Sequence, residues 1–215
     1  MTRKSKSGPR KGSVIVISAP SGSGKSTLVK RLTTSVAGLV FSVSHTTRPR
    51  RTGERHGREY FFVSPAEFKR MIAAGQFAEW AMVHGLFYGT SWKQIRRAQA
   101  AGKDVLLDID VQGHSQVRRR LPDAVSIFIL PPSYRELQLR LRRRHSDAPE
   151  VIRRRLVNAR KEMRRWREYD YLVVNDRLSD ASRVLRVVVE ATRARRNVLK
   201  DRALRILKTF GGKIE

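Results

Sequence analysis

Nine consecutive residues offer the clearest chemistry: Ala19, Pro20, Ser21, Gly22, Ser23, Gly24, Lys25, Ser26 and Thr27. Small side chains, one lysine and adjacent hydroxyls are what a phosphate-binding loop needs. Gly22 and Gly24 let the backbone turn so that successive amides point inward. Lys25 supplies a mobile positive charge for the outer phosphates, and the Ser26 hydroxyl can ligate Mg²⁺. The common spacing G-x-x-x-x-G-K-[ST] would begin with glycine where this chain has Ala19, so position 19 must be compatible with negative φ. A chance turn at a strand end is the alternative reading. Taken as a loop of this kind, the stretch binds a nucleoside triphosphate and leaves open what receives the phosphate.

Such a loop works only between a strand and a helix. Val14–Ser18 is a short continuous apolar run, as expected of a buried strand in a parallel sheet. From Ser26 to about Val36, Leu28, Val29 and Leu32 are spaced for one helical face. Further buried strands are expected at Asp104–Asp110, Ala124–Pro132 and Tyr169–Asp176, with shorter ones at Phe41–His45 and near Tyr60–Val63. Ser64 suits an N-cap, with Pro65 at the first helical position, Glu67 third after the cap and Gly75 closing the helix. Phe77–Val83 and its neighbours can pair across a turn at Gly85. Ser91–Ala101, Ser133–Arg144, Pro149–Tyr169 and Ser179 to about Phe210 read as helices. Strands alternating with helices indicate an α/β fold, a parallel sheet covered on both faces. The region from about Ser44 to Gly89 breaks that rhythm and reads as an inserted subdomain.

The 215 residues suffice for one good core with small insertions. There is no cysteine, which excludes disulfides and thiolate metal sites and fits a reducing, cytoplasmic setting. No apolar run approaches the roughly 20 residues of a membrane span. The N-terminal MTRKSKSGPRKG is basic without the apolar stretch of a signal peptide, and is expected to be a disordered tail. A formal charge of +27 implies attraction to polyanions. A solvated, arginine-rich surface accounts for most of it, because a small anionic substrate needs only a handful of cations.

Five more segments follow the loop in order: FSVSHTTRPRRTGERHGREYFFV, FAEWAMVHGLFYGTS, VLLDIDVQG, IFILPPS and YDYLVVND. With the loop they resemble guanylate kinases, the P-loop enzymes that phosphorylate GMP from ATP, over Ser13 to about Glu190. The resemblance implies a P-loop parallel core flanked by helices, an inserted GMP-binding subdomain and a helical lid. The division would be a tail at 1–12, core with the P-loop at 13–43, GMP subdomain at 44–89, core at 90–134, lid at 135–165, and a core strand with a basic helix at 166–215. It implies ATP and GMP as partners, with Mg²⁺ accompanying ATP. By position, Arg48, Arg51, Tyr60 and Tyr88 fall where the family binds the GMP phosphate. Ser44 and Thr90 fall where hydroxyls donate to the guanine O6. Glu79 and Asp110 fall where carboxylates accept from the N1–H and the 2-amino group.

That pairing would reject adenine, whose N1 is an acceptor and which has no 2-amino group; buried partners left unpaired cost about 1–3 kcal/mol each. Asp108 and Asp110, two apart, are expected on one strand face, with Asp108 holding Mg²⁺ through water. Arg140, Arg144 and Arg155 occupy the lid arginine positions and, with Lys25 and Arg48, would form the catalytic set. Asn175 falls at an adenine-contacting position. The family commonly continues there with two acids, whereas this chain has Asp176 and then Arg177.

Two other readings stand beside this one. Guanylate-kinase-like domains in scaffolding proteins are catalytically inactive binding modules; the intact Lys25, Ser26 and glycine-rich loop favour an enzyme. Binding of a polyanion, either nucleic acid or an anionic membrane surface, could run through the basic tails TRKSKSGPRKG and ATRARRNVLKDRALRILK. The latter puts Val198, Leu199, Ile206 and Leu207 at helical spacing, and the expectation is that this stripe packs on its own domain.

Overall fold

The computed structural model describes residues 11–83, 85–143 and 148–210. Most of the basic tail and Arg144 therefore lie outside the described residues. In chain order the elements are β1 (Val14–Ser18), α1 (Lys25–Ser35), β2 (Leu39–Phe41), β3 (His45–Thr46), β4 (Phe61–Phe62), α2 (Pro65–Ala73), β5 (Phe77–Val83) and β6 (Leu86–Ser91). There follow α3 (Trp92–Ala100), β7 (Asp104–Asp108), α4 (Val111–Arg120), β8 (Val125–Leu130), α5 (Tyr134–Arg142), α6 (Pro149–Met163), β9 (Tyr171–Val174), α7 (Leu178–Thr192) and α8 (Arg196–Thr209).

Every residue of β1 is buried, because a run of Val and Ile is stable only as a strand covered on both faces. It lies at the centre of a five-stranded parallel sheet ordered β2-β7-β1-β8-β9. Its alternate residues feed two cores. Ile15 and Ile17 pack with Leu28 and Leu32 of α1 and Leu185 and Val189 of α7. Val14 and Val16 pack on the other face with Ile95 of α3 and Val117 of α4. Parallel strands put all their carboxyl ends at one edge, so the loops that follow β1 and β7 open on the same crevice.

A second sheet, ordered β4-β3-β6-β5, is mixed: β3 runs parallel to β4 and antiparallel to β6. One side carries α2, whose start is set as expected: the Ser64 hydroxyl accepts from the Glu67 N–H at 3.1 Å, with Pro65 in the first turn. Phe68 is fully buried and stacks on Phe77 and Phe87.

Several expectations need correction. Phe41–His45 is not one strand. Phe41 ends β2 in the first sheet and His45 begins β3 in the second, with 42–44 crossing between them. Gln94 of α3 grips that crossing, its Oε1 accepting from the Val43 N–H at 2.9 Å and its Nε2–H donating to the Val43 carbonyl. The strand expected to reach Asp110 stops at Asp108. Asp110 instead caps α4, accepting from the N–H groups of Gln112 (3.0 Å) and Gly113 (2.8 Å), so Asp108 and Asp110 do not share a strand face.

The helix expected over Pro149–Tyr169 ends at Met163, and only a single 3₁₀ turn follows at Trp166–Glu168. The helix expected from Ser179 onward breaks at 193–195 into two. Of these, α7 packs on the first sheet, whereas α8 buries no residue at all. Its apolar stripe is packed on the domain only at its start: Val198 and Leu199 are half-buried, whereas Ile206 and Leu207 are exposed.

Candidate active site

The phosphate loop is a short turn between β1 and α1, closed by the Ser23 N–H donating to the Pro20 carbonyl at 3.1 Å. Gly24 sits at φ +85°, in the left-handed region, and the Asn175 side chain lies where a Cβ would go. Both facts demand glycine. The Asn175 Nδ2–H donates to the Ser23 carbonyl at 2.7 Å, so this buried amide braces the loop from the end of β9. Ala19, where the common motif has glycine, packs its methyl against the core of the first sheet.

Lys25 is the first residue of α1 and forms an ion pair with Asp108, which ends the neighbouring strand β7. Burial opposes the lysine charge, but Asp108 outweighs it and leaves the ammonium with a pKa above its ordinary value. Lys25, Ser26, Asp108 and Asp110 line one side of a cavity of about 320 Å³. The other side is the second sheet, which contributes Ser44, Tyr60, Glu79 and Tyr88.

Glu79 on β5 is 4% exposed and lies opposite Thr90 of β6, itself fully buried. Burial pushes the Glu79 carboxyl up to about 7, and the Asp110 charge pushes it the same way. The approach is close: a Cβ on Gly113 of α4 would stand 2.5 Å from Glu79 Oε2. Only glycine leaves that carboxylate its place.

Tyr60 and Tyr88 meet edge to face at 5.9 Å. The Arg48 guanidinium lies 5.4 Å from the Tyr60 ring centre and is held by Glu54 at 2.6 Å. Arg51 is exposed on the same loop, its backbone N–H donating to the other Glu54 oxygen at 2.9 Å. Glu54 thus shapes the arginine loop. Sequence reasoning passed it over, although it is the one acid in RPRRTGER. Glu162 of α6 was also passed over. Burial raises its carboxyl, with Asp110 pushing the same way and Lys25 opposing.

The arginines of the α5–α6 pair divide. Arg140 bonds Glu136 at 2.8 Å and the Asn175 carbonyl at 3.1 Å, which ties α5 to the phosphate-loop brace. Arg155 is half-buried on α6.

A larger cavity, of about 940 Å³, opens on the reverse face of the second sheet beside His45, Phe61, Met71, Trp92 and Arg96. It includes no acid and no residue of the phosphate loop. Consecutive strand residues point to opposite faces, so Ser44 and Tyr60 line the smaller cavity while His45 and Phe61 line the larger.

The guanylate kinase family model matches residues 11–192. A guanylate kinase of Dechloromonas aromatica is 52% identical over 181 residues, covering 84% of this chain and 90% of that protein. One from Koribacter versatilis is 53% identical over 189 residues, covering 86% of this chain and 81% of that protein. The crystal structure of guanylate kinase from Anaplasma phagocytophilum superposes with a TM-score of 0.72 at 32% identity, covering 90% of this chain and 96% of that one. A phosphate loop facing the buried Glu79 carboxylate across one cleft, on a chain this similar to those proteins, has one reading: the chain belongs to the guanylate kinase family.

Proposed function

We propose that this chain transfers the γ-phosphoryl group of ATP to GMP, giving ADP and GDP, in the cytoplasm. The observation that carries the proposal is that Lys25 on the loop and Asp110 at the start of α4 share one cavity with Glu79 of the second sheet opposite them. ATP lies along residues 19–27, its phosphates met by loop amides, the α1 N-terminus and Lys25. Asn175 holds the loop where the adenine passes. GMP lies on the second sheet, which serves as the acceptor subdomain. Glu79 and Asp110 accept from the guanine N1–H and 2-amino group, while Ser44 and Thr90 donate to O6. Arg48, Arg51, Tyr60 and Tyr88 take its phosphate, since arginine forks match phosphate oxygens two at a time.

A GMP phosphate oxygen then attacks the γ phosphorus in line as the bond to the ADP oxygen breaks. Phosphate oxygen is already nucleophilic near neutral pH, so no general base is required. Catalysis is positioning and charge neutralisation by Lys25, Arg48 and the arginines of the α5–α6 lid, Arg140, Arg144 and Arg155. Closing that lid excludes water. The donor set suits Mg²⁺: the Ser26 hydroxyl and, through water, the Asp108 carboxylate are hard oxygen ligands on one cavity wall. Held there, the ion would supply positive charge that offsets the charge of the triphosphate.

The test is a coupled assay of ADP release with Mg-ATP and GMP, AMP, UMP or IMP, run on the wild type and on Lys25→Ala. GMP is expected to be the preferred acceptor, and the variant to lose about a hundredfold or more in kcat while remaining folded. Equal turnover of AMP and GMP would overturn the acceptor assignment. Undiminished turnover in the variant would overturn the phosphate-loop assignment.

A further inference from the structure

We propose that α8 is a docking helix for an anionic membrane surface. The family model matches residues up to 192 and the phosphotransfer reading makes no use of α8. Leu199, Ala203, Ile206, Leu207 and Phe210 follow one another at i, i+4, i+7, i+8 and i+11, which places them on one face of a 3.6-residue helix. Leu199 is half-buried, and the distal part of that face stands in water: Ile206 is 51% exposed, Leu207 43% and Phe210 80%. By the same geometry Arg202 flanks it on one side and Lys200 on the other. Asp201 is the only acid between 195 and 210, against six Lys and Arg.

The helix is tied down at its start, where Asn197 Nδ2–H donates to Asp123 Oδ1 at 2.9 Å and the Arg195 guanidinium to the Asp123 carbonyl at 3.3 Å. Asp123 stands just before β8. Asn197 and Val198 share a small cavity with Lys11 and Gly12, which stand just before β1. The helix therefore leaves the molecule at the amino-terminal edge of the parallel sheet. The phosphate loop leaves at the other edge, a five-residue strand or roughly 16 Å away. A molecule resting on α8 keeps its cleft open to soluble nucleotides.

The occupant must satisfy both halves of the helix. RNA would take the cations but leave Ile206, Leu207 and Phe210 in water. A second copy could cover the apolar face but would bring another chain of formal charge +27 against it. An anionic bilayer accepts both at once, with apolar side chains at the acyl boundary and arginines among the headgroup phosphates.

The experiment is flotation of the full chain with vesicles of phosphatidylcholine, with or without about one-third phosphatidylglycerol. It is repeated with the triple variant Ile206→Ser, Leu207→Ser, Phe210→Ser. These three side chains are exposed, so the variant keeps its core, and unchanged kcat with GMP and ATP verifies that. The expected result is flotation with the anionic vesicles only, reduced about tenfold or more in the variant. Three results would overturn the proposal. One is no flotation of the wild type, with or without retention on homopolymeric RNA. Another is equal flotation of wild type and variant, which would mean charge alone. The third is a concentration-dependent dimer that the variant abolishes while vesicles are ignored, which would assign the face to a second copy.

Discussion

Glu79 must do two things that oppose each other. It is buried in a pocket that favours its neutral form, whereas the proposed GMP pose presents it with N–H donors that need an ionised acceptor. With a pKa of about 7 the group is poised between the two. Below that pH a protonated carboxyl turns an O–H toward the base, and above it both oxygens accept. The KM for GMP is therefore expected to fall as pH rises through 7, and Glu79→Gln to raise KM and flatten this dependence; initial-rate profiles of the two proteins at saturating ATP decide it. The empty fold runs the other way. Between the ordinary 4.5 and about 7 the folded chain holds a proton that the unfolded chain has lost, so rising pH lowers stability across that window. Glu79 was legible in the sequence because FAEWAMVHGLFYGTS matches a family pattern. Glu54 and Glu162 were not: a lone acid among arginines is usually a solvated charge, and only the fold shows which of them is turned inward.

At the scale of elements, α4 is the instructive case. The sequence VQGHSQVRRR has a glycine, a serine and few apolar residues, so its helical signal was too faint to register beside the strong strand run DVLLDID. The missed signal was the cap. Asp110 precedes two N–H groups that it bonds, which starts the helix two residues after the strand has stopped at Asp108. That helix start in turn fixes Glu79 through Gly113. Gly113→Ala should help the isolated helix by up to about 1 kcal/mol but push the Glu79 carboxylate from its place. The KM for GMP should rise about tenfold with that for ATP unchanged, because a displaced hydrogen-bond partner costs on the order of 1 kcal/mol. A thermal melt beside the kinetics separates the two effects, and matched KM values in variant and wild type would remove Gly113 from the pocket's design. β1, β7 and β8 were read well because burial on both faces leaves an unbroken apolar run. Phe41–His45 misled because a chain crossing between sheets keeps the composition of both.

Across the whole molecule, the two sheets meet at the crossing 42–44 and at the junction of β6 with α3. Gln94 reaches from α3 to hold both polar atoms of Val43, and with the bonds of Gln116 and Arg120 of α4 to β5 it sets the angle between the two sheets. Gln94→Ala is expected to shift kcat and the KM for GMP together by about severalfold, as hinge changes do, and to spare the KM for ATP; a change in KM alone would deny it the hinge role. The exposed stripe of α8 belongs to this scale too. Helical spacing revealed the stripe, but whether a neighbour covers it depends on the break at 193–195, which no periodicity reports. The second sheet has a consequence of its own. It is a partition one residue thick, with Ser44 and Tyr60 facing the smaller cavity and His45 and Phe61 the larger one behind them. Any change in bulk in the rear chamber shifts the backbone that carries the front. Side chains that never meet a nucleotide are thus held to size by it, and the back of the wall is as narrowly specified as the front.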